Sequence, residues 1–186
     1  PNASRPMASS LRHAAIIAGG LGTRAHAMTG DAIPKALLPV AGTPILFRQL
    51  WVLAREGITH VIVLAGHLGG LIAPALEAEA ARLSLTATVI REEVPLGTAG
   101  CLTALEVSGD TLIVYGDMLF DMDIGRLVQA HSESGAELTI VAHPNDHPQT
   151  SDIVMARGGL TRAILPKGAA RQADQRNMVP AGIYLA

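Results

Sequence analysis

Cysteine is almost absent from this sequence, which contains one, Cys101, in 186 residues. A single thiol excludes a framework of internal disulfides and fits a reducing cytoplasm, so Cys101 is expected to be an ordinary buried side chain. Charge is scarce as well: charged residues make up 16% and the formal net charge is −2. This balance gives no electrostatic basis for binding nucleic acid or an anionic membrane surface. With 49% apolar residues, the composition is that of one folded domain.

The N-terminal residues PNASRPMASS lack the apolar stretch of a signal peptide. We expect residues 1–12 to be a disordered leader, with Met7 as the native start, and residues 13–186 to form one domain. Residues 57–76 contain no acid, lysine or arginine, but they include four glycines and a proline. A buried strand, a glycine loop and a helix start explain them better than a membrane span does.

Apolar, β-rich runs alternate with helical patterns along the chain. The strand-like runs cover residues 13–18, 60–65, 85–90, 111–116 and 137–142, and the helical patterns cover 43–57, 69–82, 99–106 and 123–134. Several runs are apolar throughout, as in strands covered on both faces. This alternation predicts an α/β domain with a mainly parallel sheet and right-handed crossovers. After about residue 143 the pattern becomes irregular, which suggests an insertion or edge strands. Ligands of such sheets bind beyond the carboxyl ends of the strands, which brings together the loops 18–35, 91–98 and 116–121.

The first helix has clear signals at both ends. Thr43 is suited to cap it, Pro44 to its first turn, and Gly57 to its end. One side of it carries Ile45, Leu46, Gln49, Leu50 and Leu53, and this side is expected to be buried.

Residues 20–25, Gly-Leu-Gly-Thr-Arg-Ala, satisfy the loose dinucleotide-binding pattern Gly-x-Gly-x-x-Gly/Ala. The context of that pattern fails, because Gly30 and Pro34 leave little room for the helix it needs. No acid follows the second strand to bind a ribose. A phosphate-binding Walker loop is excluded too, since no Gly-Lys-Ser/Thr follows. A plain glycine turn and an anion site remain open.

Two cations favour the anion site. Arg24 offers a planar fork for phosphate oxygens, and Lys35 a mobile point charge. Together with the glycines, whose backbone N–H groups can approach an anion closely, they suit a polyphosphate ligand.

The segment AGGLGTR followed by PKALLPVAGTPIL resembles the signature of the sugar-1-phosphate nucleotidyltransferases. Three later blocks agree in order and spacing: PLGTAG (95–100), YGDMLFDMDI (115–124) and AGIYL (181–185). The resemblance covers residues 13–186. It implies a Rossmann-like core with helices on both faces of the sheet, a magnesium ion, and nucleotidyl transfer from a nucleoside triphosphate to a sugar 1-phosphate in the cytoplasm.

The resemblance also implies roles for individual residues. Residues that line the base and the phosphates would be Ala18, Gly19, Gly20, Gly22 and Thr23, with Gly97 and Thr98 at the base or ribose. Arg24 would hold the β- and γ-phosphates, and Lys35 would neutralise phosphate charge during in-line attack. Asp117 would bind magnesium. Lys167 and Gly182 would meet the sugar phosphate. Such chemistry depends on positioning and electrostatics, and it needs no general base because the nucleophile is already an anion.

Glu92 lies where relatives contact the base edge. A carboxylate can accept two hydrogen bonds from guanine, whereas uracil or thymine offers one donor, so Glu92 points to GTP. Asp121 and Asp123 lie just before the helix at 123–134 and are expected to cap it or to complement the positive end of its dipole.

The blocks GDMLFDMDI and HPNDHPQTSDIV (143–154) resemble the D-glycero-D-manno-heptose 1-phosphate guanylyltransferase branch, including versions fused to a sugar-phosphate phosphatase domain. His143, Asp146, His147 and Asp152 are interpreted as a structured loop with side-chain caps rather than as a metal cluster.

Other readings stay open. A mannose-1-phosphate guanylyltransferase, or a uridylyl- or thymidylyltransferase, would use the same motifs. A non-catalytic nucleotide-sugar-binding module is the third alternative, because the family's second metal-binding acid would follow the AGIYL strand, in a C-terminal segment that this domain would lack. In addition, the family's Glu and Asn near the sugar are replaced by Pro166 and Pro180, and Ala25-His26 replaces Leu-Arg. A homo-oligomer is a further expectation.

Overall fold

In the computed structural model, the residues described are 11–19, 33–66, 68–94, 97–146, 150–169 and 177–186. The predicted nucleotide-binding residues Gly20, Gly22, Thr23 and Arg24 lie outside these ranges, as do residues 1–10. Leu11 and Arg12, which the sequence analysis assigned to the leader, belong to the folded domain. Leu11 is buried, and the Arg12 carbonyl accepts hydrogen bonds from the backbone of Thr59 and His60.

The centre of the molecule is a six-stranded sheet with the order β5-β4-β1-β6-β10-β7. Its strands are β1 (His13–Ala18), β4 (His60–Ala65), β5 (Thr86–Arg91), β6 (Thr111–Tyr115), β7 (Thr139–Pro144) and β10 (Met178–Leu185). Strand β1 pairs in parallel with β4 and β6, and β4 pairs in parallel with β5. From β1 the chain builds the sheet first on one side, through β4 and β5, and then on the other side, starting with β6. The position between β1 and β6 is therefore the topological switch point, where open α/β sheets bind ligands.

The remaining elements are helices and short strands around this sheet. The helices are α1 (Ile45–Arg55), α2 (Gly69–Arg82), α3 (Gly97–Gly100) and α4 (Ile124–Ser134), with 3-10 turns at Lys35–Leu37 and Cys101–Ala104. Short strands β2 (Pro39–Val40) and β3 (Thr43–Pro44) pair with each other, as do β8 (Ile153–Arg157) and β9 (Leu160–Leu165). The predicted α/β fold with a mainly parallel sheet flanked by helices is therefore confirmed.

The last third of the sheet differs from its prediction. Strand β10 does not lie at an edge; it is inserted between β6 and β7 and runs antiparallel to both. Its register shifts between Pro180 and Tyr184, and proline within a sheet is confined to such irregularities or to edges. Gly182 lies in this bulge with a φ of 73°, which other residues adopt only at a cost.

Helix α1 buries the side predicted from the sequence, namely Ile45, Leu46, Gln49, Leu50 and Leu53. It ends as predicted at Gly57, whose φ is 91°. Ile58 donates to the Leu53 carbonyl and Gly57 to the Ala54 carbonyl, which is the Schellman pattern. The predicted cap Thr43 is wrong: among the described residues no side chain caps the start of the helix, and Thr43 lies in strand β3.

Strand β4 and the start of helix α2 account for the uncharged segment 57–76. Within the described ranges, no helix is long and apolar enough to cross a membrane. Cys101 is 2% exposed, as predicted. Burial is the main cause that raises the pKa of the Cys101 thiol, and the negative charge of Glu92 is a smaller one. The raised pKa keeps the thiol protonated and unreactive.

Candidate active site

Glycines allow the ends of the central strands to lie unusually close together. A Cβ on Gly116, which follows β6, would lie 3.0 Å from the Ile17 carbonyl oxygen of β1. The Gly116 N–H instead donates to that oxygen at 2.8 Å. On the other side of β1, a Cβ on Gly66 would lie 3.0 Å from the Gly19 carbonyl oxygen. The residues that follow β1, β4 and β6 therefore lie close together at the carboxyl end of the sheet. The sequence predicted that the loops 18–35, 91–98 and 116–121, which follow β1, β5 and β6, come together at this end.

Lys35 and Asp117 meet at this edge. They lie 82 residues apart in the chain, and Lys35 Nζ lies 3.4 Å from Asp117 Oδ2. Lys35 begins the 3-10 turn that follows Pro34, and Asp117 lies in the turn after β6. Their side chains are 29% and 52% exposed, so both can reach a ligand. The two residues predicted to act on phosphate and metal are thus neighbours in space.

Glu92 follows β5 but reaches back toward β1. Its backbone N–H donates to the Ala65 carbonyl at 2.9 Å, which fixes the start of the loop. A Cβ on Gly19 would lie 2.7 Å from Glu92 Oε2, so the carboxylate lies directly against the backbone of Gly19. Strand β4 lies between β5 and β1 in the sheet, so the Glu92 side chain extends across the end of β4 toward Gly19. This places Glu92 beside Ala18 and Gly19, the described part of the predicted nucleotide loop.

An open cavity of about 480 Å³ lies on the other side of Asp117. Its polar side chains come from β6 and the turn after it, from the segment before β8, from the turn after β9 and from β10: Tyr115, Asp117, Thr150, Ser151, Asp152, Lys167 and Tyr184. Gly182 forms part of its wall, and a Cβ there would lie 3.1 Å from the Tyr115 ring. Lys167 and Gly182, both predicted to meet the sugar phosphate, therefore line one cavity together with the predicted metal ligand.

Tyr115 and Asp152 were missed as site residues. Burial, together with a hydrogen bond involving Tyr184, raises the pKa of the Tyr115 hydroxyl above its ordinary range, so it remains a neutral hydroxyl at physiological pH. Asp152 was interpreted only as a loop cap. It does accept the Lys167 backbone N–H at 2.9 Å through Oδ1, but the same residue also lines the cavity. No local motif marks either residue, because the cavity forms only when β10 joins the sheet.

The acids before helix α4 have separate roles. Asp123 caps the helix as predicted, since its Oδ1 accepts the Arg126 backbone N–H at 3.0 Å. Asp121 does not cap it: its Oδ1 lies 2.6 Å from an Arg55 nitrogen on α1. The second acid at the helix start is Glu56, which accepts the Ile124 backbone N–H at 3.2 Å. Asp121 thus pairs with Arg55 on a neighbouring helix and does not cap helix α4.

Gly97 and Thr98 begin the short helix α3, and Gly97 has a φ of 78°. Their predicted contacts with base or ribose stay predictions. In the segment 143–154, the His143 ring nitrogen Nδ1 hydrogen-bonds the Pro144 carbonyl at 2.7 Å, and His147 lies outside the described residues.

Known proteins share this architecture. A family model described as Nucleotidyl transferase matches residues 13–184. The catalytic subunit beta of mannose-1-phosphate guanylyltransferase from Drosophila melanogaster is 32% identical over 97% of this chain and 49% of its own length. Among solved structures, HddC from Yersinia pseudotuberculosis complexed with GMP-PN has a TM-score of 0.75 at 24% identity, covering 94% of this chain and 76% of HddC.

A putative glucose-1-phosphate thymidylyltransferase from Bacillus anthracis has a TM-score of 0.81 at 21% identity, covering 95% of this chain and 71% of that protein. These structural likenesses establish the fold. This chain spans about half the length of the curated relatives that match it across nearly its full extent. The match of the family model to residues 13–184 shows that the chain belongs to the nucleotidyl transferase family.

Proposed function

We propose that this protein transfers a nucleotidyl group from a nucleoside triphosphate to a sugar 1-phosphate. A phosphate oxygen of the sugar 1-phosphate forms a bond to the α-phosphorus, and the bond from that phosphorus to the bridging oxygen of the β-phosphate breaks. The products are a nucleoside diphosphate sugar and pyrophosphate. The observation that carries the proposal is the meeting of Lys35 and Asp117 at 3.4 Å, between the Glu92 loop and the cavity.

Members of this family generally use a divalent metal such as Mg²⁺, and Asp117 fits that use. Its carboxylate is a hard oxygen ligand on an accessible side chain, and one of its oxygens already lies beside the cationic Lys35. Magnesium is often held by one or two carboxylates together with substrate phosphates and water. When bound, it neutralises charge on the phosphate oxygens. Lys35 would add a second positive charge beside them, in fixed geometry.

GTP is the nucleotide that Glu92 favours. The Glu92 carboxylate, which lies against Gly19, would accept hydrogen bonds from the ring N–H and the amino group of guanine. HddC, which shares the fold, was solved with GMP-PN. The mannose-1-phosphate guanylyltransferases among the relatives agree with this choice.

We expect Glu92→Gln to lower the kcat/KM ratio of GTP over UTP by about tenfold or more. The glutamine amide keeps one acceptor oxygen, but its NH₂ group replaces the other oxygen and faces a donor of guanine. The loss of one hydrogen bond to a charged group costs roughly 1.5–3 kcal/mol. Pyrophosphate release with each triphosphate measures the ratio. Glu93→Gln, the exposed neighbour, is the matched control and should leave it unchanged. An unaltered ratio in Glu92→Gln would remove this residue from base selection.

The cavity beyond Asp117 is the proposed sugar site. Lys167 would meet the sugar phosphate, while the Tyr115 hydroxyl oxygen and the Asp152 carboxylate would accept hydrogen bonds from sugar hydroxyls. They stand in for the family's Glu and Asn, which this chain lacks. The resemblance of residues 115–124 and 143–154 to the heptose branch supports a manno-heptose 1-phosphate. Mannose 1-phosphate is the second candidate, because the relatives that match most of this chain act on it.

For Asp152→Asn, we expect the KM for the sugar 1-phosphate to rise about tenfold while the KM for the triphosphate stays constant. Asparagine retains the oxygen that accepts the Lys167 N–H, so the turn is kept, but one acceptor for a sugar hydroxyl is lost. Initial rates at varied sugar phosphate give the constants. The comparison variant is Asp146→Asn, an exposed acid that is not part of the cavity wall. Equal KM changes in the two variants would refute this role.

The reaction itself is tested by measuring magnesium-dependent pyrophosphate release from four triphosphates, each combined with mannose, glucose and manno-heptose 1-phosphates. Release with GTP and the heptose phosphate is the expected result, and release with mannose 1-phosphate alone would establish the second candidate. If the full-length protein binds nucleotide sugars by calorimetry but turns over no pair, the proposal fails and the binding-module alternative holds.

A further inference from the structure

Gln49 is a polar residue on the buried side of helix α1. It is 1% exposed and follows the apolar pattern of Leu46, Leu50 and Leu53. A buried amide needs hydrogen-bond partners, because burying it without them costs roughly 1–3 kcal/mol. The buried Gln49 amide therefore needs hydrogen-bond partners, and these must come from another element.

Those partners lie in the turn that carries Asp117. Gln49 Nε2 donates to the Tyr115 carbonyl at 2.8 Å and to the Met118 carbonyl at 2.8 Å. The two carbonyls bracket Gly116 and Asp117. One amide group thus joins the start and the end of the turn to helix α1, 66 and 69 residues away in the chain.

Among the described residues, the turn that carries Asp117 makes few backbone hydrogen bonds to the neighbouring strands β10 and β1. Strand β6 pairs with β10 through Leu112, Ile113 and Val114 only, so that ladder stops before Tyr115. On the β1 side, the last backbone contact is the Gly116 N–H on the Ile17 carbonyl. Beyond that point, the hydrogen bonds described for the turn are the two from the Gln49 amide and the one between Lys35 Nζ and Asp117 Oδ2.

The stability of the fold alone does not explain why residue 49 is a glutamine. Its Oε1 is buried and has no hydrogen-bond partner among the described residues, which is unfavourable. What the amide uniquely supplies is two donors aimed at two carbonyls of one turn. Networks of this kind hold ligands of metals and substrates in the orientation that binding requires.

We propose that Gln49 is a positioning residue that sets the orientation of the Asp117 carboxylate for a divalent metal ion. The inference rests on the proposed function, in which Asp117 is the metal ligand. Gln49 itself touches neither metal nor substrate. It acts through the backbone of residues 115–118.

The test compares Gln49→Met with the wild-type full-length protein. Methionine keeps the length of the side chain, fills the same space and removes both donors. In the presence of GTP, the affinity for Mn²⁺, followed by electron paramagnetic resonance, is expected to fall about 10- to 100-fold, the range typical of groups that orient a metal ligand. The Mg²⁺ concentration that gives half-maximal pyrophosphate release should rise by a similar factor.

Leu50→Ala is the matched control. Leu50 is the next residue on α1 and is fully buried, so its truncation destabilises the fold without changing the Asp117 turn. It is expected to lower the thermal midpoint while Mn²⁺ affinity stays within about twofold. Should Gln49→Met fail to fold, Gln49→Asn, whose amide is one methylene too short to reach both carbonyls, is expected to show the same loss of Mn²⁺ affinity.

Two results would overturn the inference: Mn²⁺ affinity in the Gln49 variants within about twofold of wild type, or wild-type protein that binds no Mn²⁺ with GTP. Absence of turnover with every substrate pair is a different result. It would defeat the proposed reaction, while the Mn²⁺ comparison would still decide the role of Gln49.

Discussion

Replacing Asp117 with alanine is expected to lower kcat for pyrophosphate release by at least about 100-fold. Losing a group that only orients a metal ligand costs about 10- to 100-fold, and here the proposed ligand itself is removed. The fold should survive, because Asp117 is half-exposed and its ion pair with Lys35 lies near solvent. Such exposed pairs contribute about 0–1 kcal/mol to the free energy of unfolding.

Steady-state kinetics with GTP and the preferred sugar 1-phosphate, at several Mg²⁺ concentrations, would measure this effect. Asp121→Ala is the control, since Asp121 lies four residues further on, is exposed, and pairs with Arg55 rather than facing the cavity. Its kcat is expected to remain near that of wild type. Activity of Asp117→Ala within tenfold of wild type, at ordinary Mg²⁺ concentrations, would mean that another residue binds the metal.

Replacing Lys35 with methionine is expected to lower kcat by about 100- to 1000-fold, the range seen when one preorganised group that stabilises developing charge is removed. Methionine retains most of the side-chain volume and removes the ammonium group. The KM for GTP should change less than kcat, because the charge on the phosphates is greatest during transfer. Lys35→Arg should restore part of the rate, since it keeps the charge but presents it as a larger planar fork.

The same pyrophosphate assay serves for Lys35, combined with thermal unfolding to show that the variants are folded. Arg126→Met removes an exposed cation from helix α4 and should leave kcat unchanged, so a general charge effect can be separated from a local one. If Lys35→Met keeps at least a third of the wild-type kcat, Lys35 does not stabilise the transferring phosphate.

The candidate site shows where sequence reasoning succeeds. Asp117 lies just after the buried strand β6, and Glu92 follows strand β5, so the parallel sheet brings both to its carboxyl end. The family motifs added the identities of the functional side chains. The first inference depends on local patterns, namely apolar runs and the residues that end them, and the structure has Glu92 against Gly19 and Asp117 beside Lys35. The roles that the motifs assign to these side chains stay predictions.

The failures have a different origin. Asp121 had the position of a helix cap, but Arg55 on another helix attracted it. Gln49 was predicted to be buried with its apolar neighbours, yet nothing near it in the sequence indicated that its amide would bind two carbonyls after β6. In each case the partner lies 66 residues or more away.

The sequence by itself determined the alternating α/β core, the buried side of helix α1, the close approach of the strand-end loops and the chemical types placed there. Periodicity and turn residues encode these features locally. Only the tertiary structure decided that β10 enters antiparallel between β6 and β7, and with it the cavity beside Asp117. That outcome depends on long-range strand pairing and on a bulge at Gly182 that fits against Tyr115. Such pairing is selected by the packing of the whole sheet, which no short segment specifies.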